Sequence, residues 1–190
     1  MKGKIAAALA GFAVVMALAA KAPPRADELA PAPQGPVVLT IAGAVETGNR
    51  GPLEPFADAF LKYHDKRFER AFAFDRAMLA RLPQQGITAH ARTWPAAVRL
   101  RGPLFADVLR EAGVLGRTVT VFALDGYGVE ITPELLEQEA WVLAIEADGR
   151  PLSIGGRGPA WLAYDTSGRD PVGEEEEGRW VWSVFYVEAG

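Results

Sequence analysis

Residues 104–131 read LFADVLREAGVLGRTVTVFALDGYGVEI, a helix pattern followed by two strand patterns. The first apolar residues recur at helical spacing, and Gly113 stands where helices commonly end in a left-handed residue. Residues 118–124 and 127–131 are rich in β-branched and aromatic side chains, and the Asp125-Gly126 pair between them is a turn signal. The stretch therefore predicts a short helix that leads into a β-hairpin.

The flanking sequence extends this pattern in both directions. An amphipathic run predicts a helix over residues 53–64, Asp75 is the predicted N-cap of a helix that ends at residue 82, and Thr132 is the predicted N-cap of another. Further strands are predicted at residues 37–45, 86–93, 97–101, 141–146, 151–154, 160–164 and 180–187. With about eight strands and three short helices, the predicted class is α+β and mostly β.

Composition excludes several classes of function. The chain has 190 residues, 20 Lys and Arg against 24 Asp and Glu, two His and no Cys, for a net charge of −4. An apolar fraction of 49% is too high for a disordered chain, and the absence of a clustered basic excess predicts no nucleic-acid partner. The lack of cysteine excludes disulfides, zinc–thiolate sites, iron–sulfur clusters and thiol catalysis.

The N-terminal sequence predicts export. Residues 1–20 begin with two lysines, continue as an unbroken apolar run and end in small residues, which is typical of a secretory signal peptide. A retained membrane anchor is the alternative. Residues 21–36 are rich in Pro and Ala and predict an unpacked linker, so the folded domain is expected over residues 37–190 in the periplasm or another exported location.

Five segments in a fixed order resemble a known family. They are the helix ending in Glu-Ala-Gly-Val at residue 114, the hairpin of 122–131, the Asp-Gly turn of 142–152, the Gly-rich loop 155–159 and the Trp-rich strand 180–187. Together they resemble the molybdopterin-binding domain of the sulfite oxidase superfamily, and in particular its short exported bacterial members. The resemblance implies that fold and a cofactor cleft.

The same resemblance implies two departures from the catalytic members. Their molybdenum is ligated by a cysteine that precedes a tryptophan by four residues; if Trp94 aligns with that tryptophan, His90 occupies the ligand position. Neutral imidazole does not replace a soft thiolate. Catalytic members also often carry an arginine two residues after the proline of the Gly-rich loop, where this chain has Trp161. We therefore predict no bound cofactor, with molybdopterin as the alternative.

A candidate cleft follows from these positions. Arg99 and Arg157 are guanidinium groups suited to an anion, His90 is a possible ligand contact, and the Asp125–Tyr127 turn borders the cleft of the family fold. The full candidate set is His90, Trp94, Arg99, Asp125, Tyr127, Arg157 and Trp161. Each has a simpler explanation: a hydrogen-bonded strand histidine, a turn former, a solvated arginine or a core tryptophan.

Two further features have an open interpretation at the sequence level. Residues 174–177 are four consecutive glutamates, for which a solvated loop is the expected structure. Trp141, Trp161, Trp180 and Trp182 are expected to be mainly core residues, with an aromatic pocket as the alternative.

The sequence thus predicts an exported, non-catalytic accessory or sensory module. Its expected partner is a small anionic ligand or a protein of the cell envelope, and a membrane only if the N-terminal segment is retained. The alternatives are a molybdopterin-dependent oxidoreductase that holds its cofactor with no thiolate, and a purely structural interaction domain.

Overall fold

The computed structural model describes residues 30–190. The signal peptide predicted at residues 1–20 and the linker up to residue 29 lie outside the described residues. Across residues 30–190, every helix falls short of the length and apolar character that a membrane crossing requires.

Strands dominate the described part of the chain, which has eleven of them and five short helices. The strands are β1 Val37–Gly43, β2 Phe72–Asp75, β3 Gln84–Ala89, β4 Val98–Pro103, β5 Val119–Ala123, β6 Gly128–Ile131, β7 Trp141–Ala144, β8 Glu146–Ala147, β9 Arg150–Pro151, β10 Trp161–Tyr164 and β11 Val184–Ala189. The helices are α1 Ala59–Tyr63, α2 Arg76–Arg81, α3 Phe105–Glu111, α4 Pro133–Gln138 and α5 Glu174–Glu177.

The strands form three sheets. The largest has the order β2-β1-β11-β5-β6, a second pairs β10 with β7, and a third has the order β3-β4-β8-β9. In the large sheet, β11 runs parallel to β1 and antiparallel to β5. Val184, Tyr186 and Val187 of β11 are fully buried. The prediction that the last strand is buried on both faces is therefore confirmed.

Several predicted helix ends are confirmed. The Asp75 side chain accepts a hydrogen bond from the Met78 N–H at the start of α2, and the Thr132 hydroxyl accepts one from the Leu135 N–H at the start of α4. Gly113 has a φ of 70° just beyond α3, the left-handed conformation expected there. These ends follow from single residues whose chemistry permits few alternatives.

Asp75 also joins the start of the described chain to the fold. Its Oδ2 accepts hydrogen bonds from the backbone N–H groups of Gln34 and Gly35, both at 2.8 Å. The N–H of Met78, together with those of Gly35 and Gln34, holds the pKa of the Asp75 carboxyl below its usual range. The segment that precedes β1 is thus tied to the domain at the N-terminus of α2.

Other predictions of the elements are wrong. The predicted counts of about eight strands and three helices are too low, in part because β8 and β9 have only two residues each. The predicted helix over residues 53–64 is shortened to α1, and the strand β2 was not predicted. The predicted solvated loop at the four glutamates is the single helical turn α5, and the strand expected from residue 180 begins at Val184.

The small sheet packs against β4 through a close approach of two backbones. A Cβ atom on Gly102 would lie 2.1 Å from the carbonyl oxygen of Leu143 and 2.7 Å from the Cα of Ala144, both in β7. Gly102 therefore permits β4 and β7 to pack side by side. A Cβ atom on Gly86, in the neighbouring strand β3, would meet no other atom within 4 Å.

These two glycines give a matched test of the packing. We expect Gly102→Ala to lower the free energy of unfolding by about 3 kcal/mol, because the new methyl group collides with backbone that has no room to move. Gly86→Ala should leave stability unchanged or raise it by about 0.4–1 kcal/mol. Urea denaturation of the two variants measures both effects, and an equal response at the two positions would contradict this account of the sheet packing.

Candidate functional site

A pocket of about 360 Å³ opens beside the tryptophan cluster. Its aromatic walls are Trp94, Trp161, Trp180, Trp182 and Tyr127, and its charged lining groups are Arg157, Asp125, Glu174 and Glu177. Apolar walls with a few charged groups are the usual composition of a small-molecule site, and the volume lies within the range of such sites. This pocket is the candidate functional site.

Three separate segments deliver the four tryptophans. Trp94 lies on the turn between β3 and β4, Trp161 is the first residue of β10, and Trp180 and Trp182 precede β11. The ring centroid of Trp94 lies 5.2 Å from that of Trp161 and 5.4 Å from that of Trp180, within the range of distances at which aromatic rings attract each other. Trp161 and Trp180 are buried, whereas Trp182 is 44% exposed at the pocket rim.

Glu177 fixes the Trp94 wall. One of its carboxylate oxygens accepts a hydrogen bond from the indole Nε1 of Trp94 at 2.6 Å, and the other accepts one from the hydroxyl of Thr93 at 2.6 Å. Hydrogen bonds to a charged acceptor are stronger than neutral ones. The acidic helix α5 is therefore a structural support of the pocket.

The hairpin turn forms the opposite side. The backbone N–H of Tyr127 donates to Oδ1 of Asp125 at 2.9 Å, and the Tyr127 hydroxyl donates to the carbonyl oxygen of Gly178. Gly126 takes a φ of 90°, which a side chain would oppose. The bond from Tyr127 to Gly178 connects the turn after β5 to the chain just beyond α5, so the two sides of the pocket are held together.

Arg157 is stacked on the tryptophans. Its guanidinium carbon lies 4.6 Å from the ring centroid of Trp161, 5.2 Å from that of Trp94 and 6.0 Å from that of Trp182. Within residues 30–190, no carboxylate lies within 4.0 Å of this guanidinium. Aromatic faces, and not an ion pair, hold the side chain in place.

Two indole N–H groups at the pocket lack a hydrogen-bond acceptor. The Nε1 atoms of Trp161 and Trp180 are buried and have no partner in the described part of the chain. A buried donor with no acceptor costs on the order of 1–3 kcal/mol, so such groups are rare in cores. Both belong to residues that line the same pocket.

Tyr164 lies behind this wall and packs edge-on against Trp180, with ring centroids 5.3 Å apart. Burial of its hydroxyl, followed by the negative charges of Glu176 and Glu139, raises the pKa of Tyr164 to about 12. The phenol is therefore neutral at physiological pH and is a packing residue here, with no role as a base.

The structure brings five of the seven sequence candidates together, namely Trp94, Asp125, Tyr127, Arg157 and Trp161. The other two lie outside the pocket. His90 uses its backbone in bonds to the Thr166 hydroxyl and to the Val172 N–H, both at 3.0 Å. Arg99 forms an exposed ion pair with Asp148 at 3.6 Å.

The two glutamates of the pocket lining were not predicted. Glu174 and Glu177 belong to the run expected to form a solvated loop, and Glu177 is held in the pocket by a hydrogen bond to the distant residue Trp94. The expectation of core tryptophans holds for Trp141, Trp161 and Trp180, but Trp182 is half-exposed. The feature of the sequence that could have indicated this part of the pocket was the alternation of Trp180 and Trp182 close to the run of four glutamates.

The comparisons with known proteins bear on the fold. The chain matches no family model and no curated protein. Its sheet-rich architecture is similar to that of the sulfane dehydrogenase SoxCD from Paracoccus pantotrophus, with a TM-score of 0.52 and 18% sequence identity. The match covers 80% of this chain but only 37% of that one, so this chain spans little more than a third of its length. The likeness indicates a distant structural relationship, compatible with a sulfite-oxidase-like domain.

The support given by Glu177 is testable with a neighbouring control. We expect Glu177→Ala to lower the free energy of unfolding by about 1–2 kcal/mol, because the half-buried Trp94 N–H loses its acceptor. The tryptophan emission should shift to longer wavelength as the ring is released. Glu175→Ala, on the same helix with a carboxylate side chain that is 90% exposed, should change neither quantity. Equal effects of the two variants would contradict the role of Glu177.

Proposed function

We propose that this chain is a non-catalytic binding module that takes a small ligand in the tryptophan-lined pocket. The observation that carries the proposal is an open pocket of about 360 Å³ lined by tryptophans, one guanidinium and three carboxylates; two of these tryptophans also have a buried indole N–H with no partner in the described chain. Aromatic walls with a small number of charged groups are typical of a site that binds a small molecule.

The polar groups of the pocket support binding more than chemistry. Both carboxylate oxygens of Glu177 are engaged by Trp94 and Thr93, and Asp125 is bonded to its own turn. A general base or nucleophile needs a positioned partner that orients it. His90, the histidine of the candidate set, does not line the pocket. These residues shape and charge a cavity.

Molybdopterin does not fit the residues present. The chain has no cysteine to supply a thiolate, and the position that the sequence assigns to that ligand is held by His90, outside the pocket. The lining sets three carboxylates against one guanidinium, a balance that opposes the phosphate group of a pterin cofactor. Across residues 30–190, no three His, Asp or Glu side chains are grouped as metal ligands.

A ligand screen with two variants tests the binding function. The full chain is screened by thermal shift against a library of charged and neutral small molecules. We expect at least one ligand to raise the Tm of the native chain and to lose that effect in Trp182→Ala, which removes a half-exposed pocket wall. Tyr63→Ala removes an aromatic side chain that is 81% exposed outside the pocket and should keep the effect. The proposal would be contradicted if no ligand raised the Tm of the native chain and lost that effect in Trp182→Ala.

Metal analysis separates this function from the oxidoreductase alternative. Chain purified from a bacterium that makes molybdopterin should contain molybdenum well below one atom per molecule, because the soft thiolate ligand is missing. A stoichiometric molybdenum content would contradict the proposed function and favour the oxidoreductase.

A further inference from the structure

The aromatic walls of the pocket already hold a positive group. The Arg157 guanidinium lies within about 6 Å of three tryptophan ring centroids, the range in which an aromatic face attracts a cation. Tryptophan is the best of the aromatic residues for this interaction. The geometry is that of an aromatic cage with a side chain of the same molecule inside it.

The charged groups that line the pocket also favour a positively charged ligand. Asp125, Glu174 and Glu177 supply three carboxylates and Arg157 supplies one guanidinium, so these groups carry a net charge of −2. Charges that line a cleft with low-dielectric walls raise the local concentration of ions of the opposite sign. The pocket therefore attracts cations and opposes anions, in contrast to the anionic ligand predicted from the sequence.

Glu177 strengthens the effect at Trp94. Its carboxylate accepts the indole N–H in a short, charge-assisted hydrogen bond. Such a bond polarises the indole toward greater electron density in the ring. The ring that Arg157 shares with Trp161 is thereby made a better partner for a positive charge.

Arg157 can be replaced in this position. The residue is exposed, and its side chain makes no hydrogen bond within the described chain; only its carbonyl oxygen is held, by the Ser183 N–H at 2.9 Å. Arg157 also lies between the pocket and a second one of about 560 Å³, and the two share Trp94, Arg157 and Trp161 as walls. Because the guanidinium lies over these rings, moving it away would uncover aromatic faces that line both pockets.

We propose that the pocket binds a small organic cation, with a quaternary ammonium or guanidinium head group, on the faces of Trp94, Trp161 and Trp182 in place of Arg157. This inference rests on the proposed binding function and adds the charge class of the ligand. Arg157 acts as an internal competitor that the ligand displaces.

The test is a titration of the full chain followed by tryptophan fluorescence and calorimetry. The probes are choline and agmatine as cations, 3,3-dimethylbutanol as the neutral isostere of choline, and acetate and phosphate as anions. We expect a cation to bind more tightly than the neutral isostere by about tenfold or more, the range that a cation gains from desolvated aromatic faces. Binding should be lost in Trp182→Ala.

Arg157→Ala gives the decisive result, because the two signs of ligand charge predict opposite changes. If the ligand is a cation, removing the internal competitor should tighten cation binding several-fold. Arg99→Ala, which removes the same charge from an exposed position outside the pocket, should leave it unchanged. Thermal unfolding of each variant checks that the fold is retained.

Three outcomes would overturn the inference. They are tighter binding of anions that is lost in Arg157→Ala, equal binding of choline and its neutral isostere, and no cation binding that depends on Trp182. The first two leave the binding module intact and change only its ligand class. The library screen tests the binding function itself. That function fails if no ligand of any charge raises the Tm in a way that depends on Trp182.

Discussion

The position of β11 in the middle of the large sheet is the constraint on which the rest of the structure depends. The strand pairs with β1 on one side and β5 on the other, so it joins the first strand of the domain to the β5–β6 hairpin. Because both of its faces are buried, its register is fixed by packing as well as by hydrogen bonds. The residues that precede it are thereby placed at one end of the sheet, where the pocket lies.

Ser183 converts this constraint into the geometry of the site. It has a φ of 55°, which is unfavourable for a residue with a side chain, and it ends the run of tryptophans just before β11. Its N–H donates to the Arg157 carbonyl oxygen, and its own carbonyl accepts from the Leu124 N–H at 3.0 Å. One buried residue thus connects the Gly-rich loop, the hairpin turn and the last strand.

The sequence predicted the features that single residues determine and missed those that depend on distant contacts. Asp75 and Thr132 are strong helix caps, so the starts of α2 and α4 were predictable. β2 was missed because it has only four residues, and the pairing of Phe72 and Phe74 with the distant strand β1 leaves no local pattern in the sequence. At the pocket, the sequence predicted residues next to turn signals, such as Asp125 and Arg157. It did not predict Glu177, because the role of that residue depends on a hydrogen bond to Trp94, 83 positions away in the sequence.

The energetic balance of the pocket is the strongest reason to regard it as a site. An arrangement selected for stability alone would pair Arg157 with a nearby carboxylate and give the indole N–H groups of Trp161 and Trp180 an acceptor. Instead the guanidinium stacks on rings with no carboxylate within 4.0 Å, and two buried donors have no partner in the described chain. Unfavourable terms of this kind persist where function requires them. Their concentration at one pocket therefore supports the proposal that the tryptophan cluster is the functional site, whereas the fold alone is compatible with many activities.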